Sequence, residues 1–162
     1  MSDQKKLTDA LARIASFPEE LSELVTELPD DVLDTPYGEG KWTVRQVVHH
    51  LADAHVVLYV RIKKLATEEG PDLPTFDQDA WARTPDTDGP IATSLYVIRA
   101  VHERGVQLLK NLPPEVFKRI GNHPVRPWTS PDGKVTLEQL VLHWAKHCDT
   151  HLNTLRGFLE SR

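Results

Sequence analysis

Apolar residues recur three and four positions apart through most of this 162-residue chain, and almost nowhere do they alternate. That period is the signature of amphipathic helices, and the strand signals are too few to build a sheet. Leu7 to Ile14 and Leu21 to Leu28 carry the first such pattern, and Pro18 between them predicts a helix broken or restarted there. After a turn-rich stretch from Pro29 to Lys41, Thr43 and Gln46 form a capping-box pattern. Val44, Val47, Val48, Leu51, His55, Leu58, Ile62 and Leu65 then keep one face apolar up to a stop near Gly70 and Pro71. A third helix is predicted from about Ile91 to Leu112, ended by Pro113 and Pro114. A second capping box, Thr136 with Gln139, opens a last helix that runs to about Glu160.

Four long helices with one long crossing connection predict an all-α four-helix bundle, residues 1–162 forming a single domain. The connection 71–90 contains four prolines together with Phe76 and Trp81, and the stretch 121–134 is dense in turn residues, with a short hairpin expected at Asp132 and Gly133. Ordered connections of that length usually wall or cover a site.

The formal charge of -5 argues against nucleic acid as the partner. No run of residues is apolar for long enough to span a membrane, and the N-terminal residues lack the apolar block of a signal peptide, so the cytoplasm is the expected location. The single cysteine, Cys148, has no internal disulfide partner and falls on the apolar stripe of the last helix.

Six of the eight histidines fall in two segments: His49, His50 and His55 on the second long helix, and His143, His147 and His151 on the last. Residues four apart on a helix differ by about 40° in direction, so His147 and His151 project side by side, a turn apart. Leu137, Val141, Trp144, Cys148, His151, Leu155 and Phe158 form an apolar stripe, which places His151 toward the bundle, His147 at its edge and His143 toward solvent. A lone histidine on such a face is ordinarily a hydrogen-bonded core residue. A pair at this spacing, with a second histidine cluster on another helix, points instead to a metal ion. Two ligands are too few, and the third must come from elsewhere, with His49, His50, Asp53 and His55 of the second helix as candidates. His55 lies at the centre of its apolar arc, His50 at the flank with Ala54, Val57 and Arg61, and His49 lies with Asp53 nearly opposite, so spacing leaves His50 and His55 as alternatives.

Other chemistries lack their motifs. Cys148, not glutamate, follows His147, which removes the zincin protease pattern, and neither a Gly-rich phosphate loop nor G-x-S-x-G is present.

The run from Leu33 to His55, centred on Trp42-Thr43-Val44-Arg45-Gln46-Val47-Val48-His49-His50, closely resembles the YfiT branch of the DinB-like superfamily. So do Tyr59 to Lys63, the pair Asp77 and Trp81, and His147-x-x-x-His151-Leu152, and the resemblance extends from about Pro18 to Phe158. It implies a four-helix bundle holding a divalent metal by three histidines, with His50 as the first ligand and His147 and His151 as the others. Members are labelled metal-dependent hydrolases, and some transfer bacillithiol or mycothiol; a homodimer is a further implication. Three imidazoles suit zinc or nickel first, with cobalt, copper or iron also compatible. They leave a coordination position open, where water or a thiol is activated. The expected function is therefore that of a hydrolase or low-molecular-weight-thiol S-transferase acting on a small molecule, the alternative being a non-catalytic binding or stress-response module that a metal stabilises. Asp53, one turn from His50, is a candidate ligand-orienting group or base, and Arg61 a candidate for a cosubstrate carboxylate.

Overall fold

A computed structural model describes residues 3–124 and 129–162; residues 125–128, within the turn-dense stretch singled out above, lie outside them, as do Met1 and Ser2. In chain order the elements are α1 (Asp3–Val25), α2 (Asp30–Leu33), α3 (Val44–Thr67), α4 (Gln78–Trp81), α5 (Ile91–Lys110), β1 (Ile120–Asn122), β2 (Lys134–Thr136) and α6 (Leu137–Glu160), with 3-10 turns at Pro85–Asp88 and Pro114–Lys118.

Both capping boxes form. The Thr43 hydroxyl accepts from the Gln46 amide at 3.1 Å while the Gln46 side chain accepts from the Thr43 amide at 3.0 Å, and Thr136 with Gln139 repeats the arrangement at 3.1 and 2.8 Å. Each box satisfies two amide groups that a helix start leaves without partners.

The four long helices form the bundle. Helices α1 and α3 each pack against α5 and α6, so α1 lies diagonally opposite α3, and α5 opposite α6. Two of the three long connections therefore cross the bundle rather than one as expected, because helix periodicity records which face is apolar and not which helix it meets. Phe17, Ile14, Leu21, Leu51, Ile62, Trp144, Leu140 and Leu152 are fully buried between the helices. Each such side chain contributes about 1.5–3 kcal/mol by leaving water.

The expected break at Pro18 does not occur: α1 is one helix of 23 residues. Proline removes the amide that would have bonded the carbonyl four residues back, on Ile14. That carbonyl is taken instead by His102 Nδ1 of α5 at 2.6 Å, so the helix continues with its open acceptor satisfied from outside.

The connection 71–90 is ordered by local devices. Asp77 caps α4, its carboxylate accepting from the Asp79 and Ala80 amides at 3.1 and 3.0 Å. Residues 71–73 run beside β1, with the Asn122 amide bonded to the Pro71 carbonyl at 2.8 Å and the Leu73 amide to the Asn122 carbonyl at 2.9 Å. The small sheet is an antiparallel pair, Gly121 opposite Val135, and Gly133 adopts positive φ in the turn that leads into β2. This ribbon is the only sheet among the described residues, and it ties the 71–90 connection to the one between α5 and α6.

Candidate metal centre

The His49–His50 pair lies one turn and a half into α3, where the Thr43 cap sets the helix register. His50 enters the bundle there and meets His147 and His151 of α6. The ring centroids are 5.5 Å apart for His50 and His147, 5.2 Å for His50 and His151, and 4.5 Å for His147 and His151. One ring nitrogen from each lies within 4.8 Å of the other two. Of the two candidates that spacing left open on α3, His50 is thus the one that joins the pair on α6. His55 lies one layer deeper, fully buried.

Burial keeps all three imidazoles neutral. It pushes His50 down to about 3, with the neighbouring His151 adding to the effect, and His151 down to about 4. His147 is pushed well below the ordinary value by burial and then by His151, His50 and His143. A neutral imidazole offers a lone pair, and three of them are the donor set that a divalent transition metal takes. The residues therefore fit such an ion.

Two aromatic residues hold the His50 ring. Trp42 packs on it with centroids 4.7 Å apart, and Phe76 from the 71–90 connection lies at 6.3 Å, itself packed on Trp81 at 4.7 Å. Neither Trp42 nor Phe76 was identified from the sequence as a site residue, since both stand in segments without a helical period.

His50 and His147 line an open cleft of about 710 Å³ whose far wall is Thr75 to Gln78 of the connection. Arg61 also lines it, nearly buried, with its Nε donating to the Pro74 carbonyl at 2.8 Å. His143 and His123 complete the polar side. His143, expected toward solvent, is half-buried, and burial lowers it to about 4, helped by Arg61, Lys146 and His123. Its spacing four before His147 was the available signal; His123 had none.

Asp53 is placed elsewhere. It does not line the cleft, and its charged neighbours are Asp86 and His49. Burial and then the Asp86 charge raise its carboxyl above the usual range, with His49 opposing. His49 serves the packing of α3: its Nδ1 pairs with the Ser94 hydroxyl at 2.7 Å and its Nε2 with the Gly89 carbonyl at 3.1 Å. Cys148 is fully buried and its thiol is pushed strongly upward by burial, so it is no nucleophile.

A helical bundle with a histidine triad, two of whose members line a cleft, defines a class, and the class has a name: residues 13–155 match the family model of the DinB superfamily, and the chain belongs to it. Relatives in Bacillus mycoides and Bacillus cereus that carry the name "Putative metal-dependent hydrolase" are 35% identical over 147 residues, covering 90% of this chain and 83% of theirs. The solved structure of YfiT from Bacillus subtilis, described as a "probable metal-dependent hydrolase with an unusual four-helix bundle topology", is similar at a TM-score of 0.90 and 33% identity, over 99% of this chain and 89% of that one. No described helix is long and apolar enough to cross a membrane.

Proposed function

We propose that this protein is a metal-dependent hydrolase of small molecules, with His50, His147 and His151 as the ligands of one divalent transition metal, zinc or nickel first. The observation that supports this reading is the convergence of three neutral imidazoles, with donor nitrogens within 4.8 Å of one another, two of which line a 710 Å³ cleft. Relatives over most of the chain bear the name of metal-dependent hydrolases.

When bound, a divalent ion there supplies Lewis-acid activation of a water or thiol at neutral pH. The chain's own groups do the rest. Trp42 and Phe76 orient the His50 ring, Thr75 to Gln78 close one wall, and Arg61, His143 and His123 give the opposite wall its polarity. Asp53 has no part in this reading, since its side chain belongs to another face of α3.

Thiol transfer is the second reading, and one observation favours it: the chain's only thiol, on Cys148, is sealed in the core, while a cation, Arg61, lines the cleft where an anionic cosubstrate such as bacillithiol would lie. Elemental analysis of untagged protein is expected to find about one equivalent of metal. Less than about a tenth of an equivalent, with no uptake on titration, overturns both readings. An ester panel run beside a thiol with monochlorobimane separates hydrolysis from transfer. His147→Ala separates either from the structural alternative: a catalytic metal predicts lost activity with the fold kept, a structural one a large fall in melting temperature.

A further inference from the structure

Behind the triad lies a column of rings that the metal reading does not use. His147 Nδ1 is 3.1 Å from His55 Nε2, and His55 Nδ1 is 2.8 Å from His102 Nε2. His102 Nδ1 is 2.6 Å from the Ile14 carbonyl that Pro18 leaves open. His55 and His102 are fully buried, and Phe17 packs against both, at centroid distances of 5.6 and 5.3 Å.

The far end of the column decides where every proton sits. A carbonyl only accepts, so His102 Nδ1 carries a hydrogen. An indole nitrogen only donates, and Trp144 Nε1 lies 3.3 Å from His102 Nε2, so that nitrogen is an acceptor. His55 Nδ1 must then donate to it, which leaves His55 Nε2 as the lone pair of a neutral ring facing His147 Nδ1. His147 in turn donates from Nδ1 and keeps its lone pair on Nε2. We propose that His102 and His55 are positioning residues that hold His147 as its Nδ1–H tautomer and so reserve its Nε2 for the metal. The inference takes its purpose from the proposed metal site, while the tautomers themselves are a property of the metal-free chain.

Two rival uses of these residues fit the geometry less well. A proton path needs an end that exchanges protons, and the Ile14 carbonyl does not. A second metal at His55, His102 and Cys148, whose donor atoms also cluster, would need the two imidazole nitrogens about 3.3 Å apart to share a tetrahedral zinc. At 2.8 Å they share a proton instead.

Long-range proton–nitrogen NMR on the ¹⁵N-labelled, metal-free full chain reads each tautomer directly. The expected result is a pyrrole-type Nδ1 and a pyridine-type Nε2 at His55, His102 and His147. A pyrrole-type Nε2 at any of the three overturns the relay. Zinc titration then adds the functional measure: His55→Phe is expected to weaken binding ten- to a hundredfold, roughly the range for an outer-shell partner. His55→Gln, whose side-chain oxygen can accept from His147 Nδ1, is expected to recover most of it. Unchanged affinity in His55→Phe overturns the proposal, as does a second zinc equivalent accompanied by a thiolate-to-cobalt band when cobalt replaces zinc. Correct tautomers with no metal uptake keep the relay and overturn the metal site instead.

Discussion

Gly105 on α5 and Trp144 on α6 occupy one space: a Cβ at position 105 would lie 2.6 Å from Cη2 of the indole and 2.9 Å from Cζ3. The indole cannot retreat, being fully buried with its nitrogen turned to His102. Gly105→Ala is therefore expected to destabilise the protein by about 1–2 kcal/mol, the overpacking cost of about 1–3 kcal/mol outweighing the gain in helix propensity. Gly157 on α6 has no atom within 4 Å of the corresponding position, and the same substitution there should stabilise by about 0.5–1 kcal/mol. Urea denaturation of the two variants checks the opposite signs.

Acid should unfold the metal-free chain through its histidines. Burial holds His102 down to about 4 against an unfolded value of 6.5, with the Ile14 hydrogen bond opposing the shift. The native state thus keeps the ring neutral where the unfolded state takes a proton. This contribution to stability is complete above pH 6.5 and is lost as pH falls from there to about 4, at about 1.4 kcal/mol per pH unit. Thermal melts across that window are expected to show a steep fall that His102→Gln makes shallower.

Arg61 holds the cleft wall by its bond to the Pro74 carbonyl. Arg61→Ala removes a charged hydrogen bond worth about 1.5–3 kcal/mol and should loosen residues 71–77 without unwinding the bundle. Limited proteolysis is expected to cut this segment faster while circular dichroism stays unchanged; an unaltered digestion pattern would count against the tether.

The caps make a graded pair. Thr136→Ala and Thr43→Ala should each cost about 1 kcal/mol, since each deletes one side of a formed capping box. Thr43→Ala should also weaken metal binding more, because His50 stands two turns from that cap whereas His147 is eleven residues from Thr136. Calorimetric titration of the two variants with zinc compares them.

Much of this was legible in the sequence because it is local. The capping boxes, the last helix to Glu160 and the pairing of His147 with His151 are all matters of neighbours within a turn. The choice between His50 and His55 was not legible in periodicity, which left both open and which only the resemblance to the YfiT branch turned toward His50; the centre of the apolar face belongs to the buried column. His102 stands alone on α5 and meets a carbonyl 88 residues away, a contact no local pattern encodes. For the same reason Pro18 reads as a break: its missing hydrogen bond is visible in the sequence, and the partner that replaces it is not.

The diagonal arrangement of the long helices also orders events in time. One side of the candidate metal site is on α3 and two sides are on α6, which follows α1, α3 and α5 in the chain. A nascent chain that has released α1, α3 and α5 carries His50 without His147 or His151. The first three long helices therefore hold only one of the three candidate ligands, and the donor set is assembled only when α6 packs against α1 and α3.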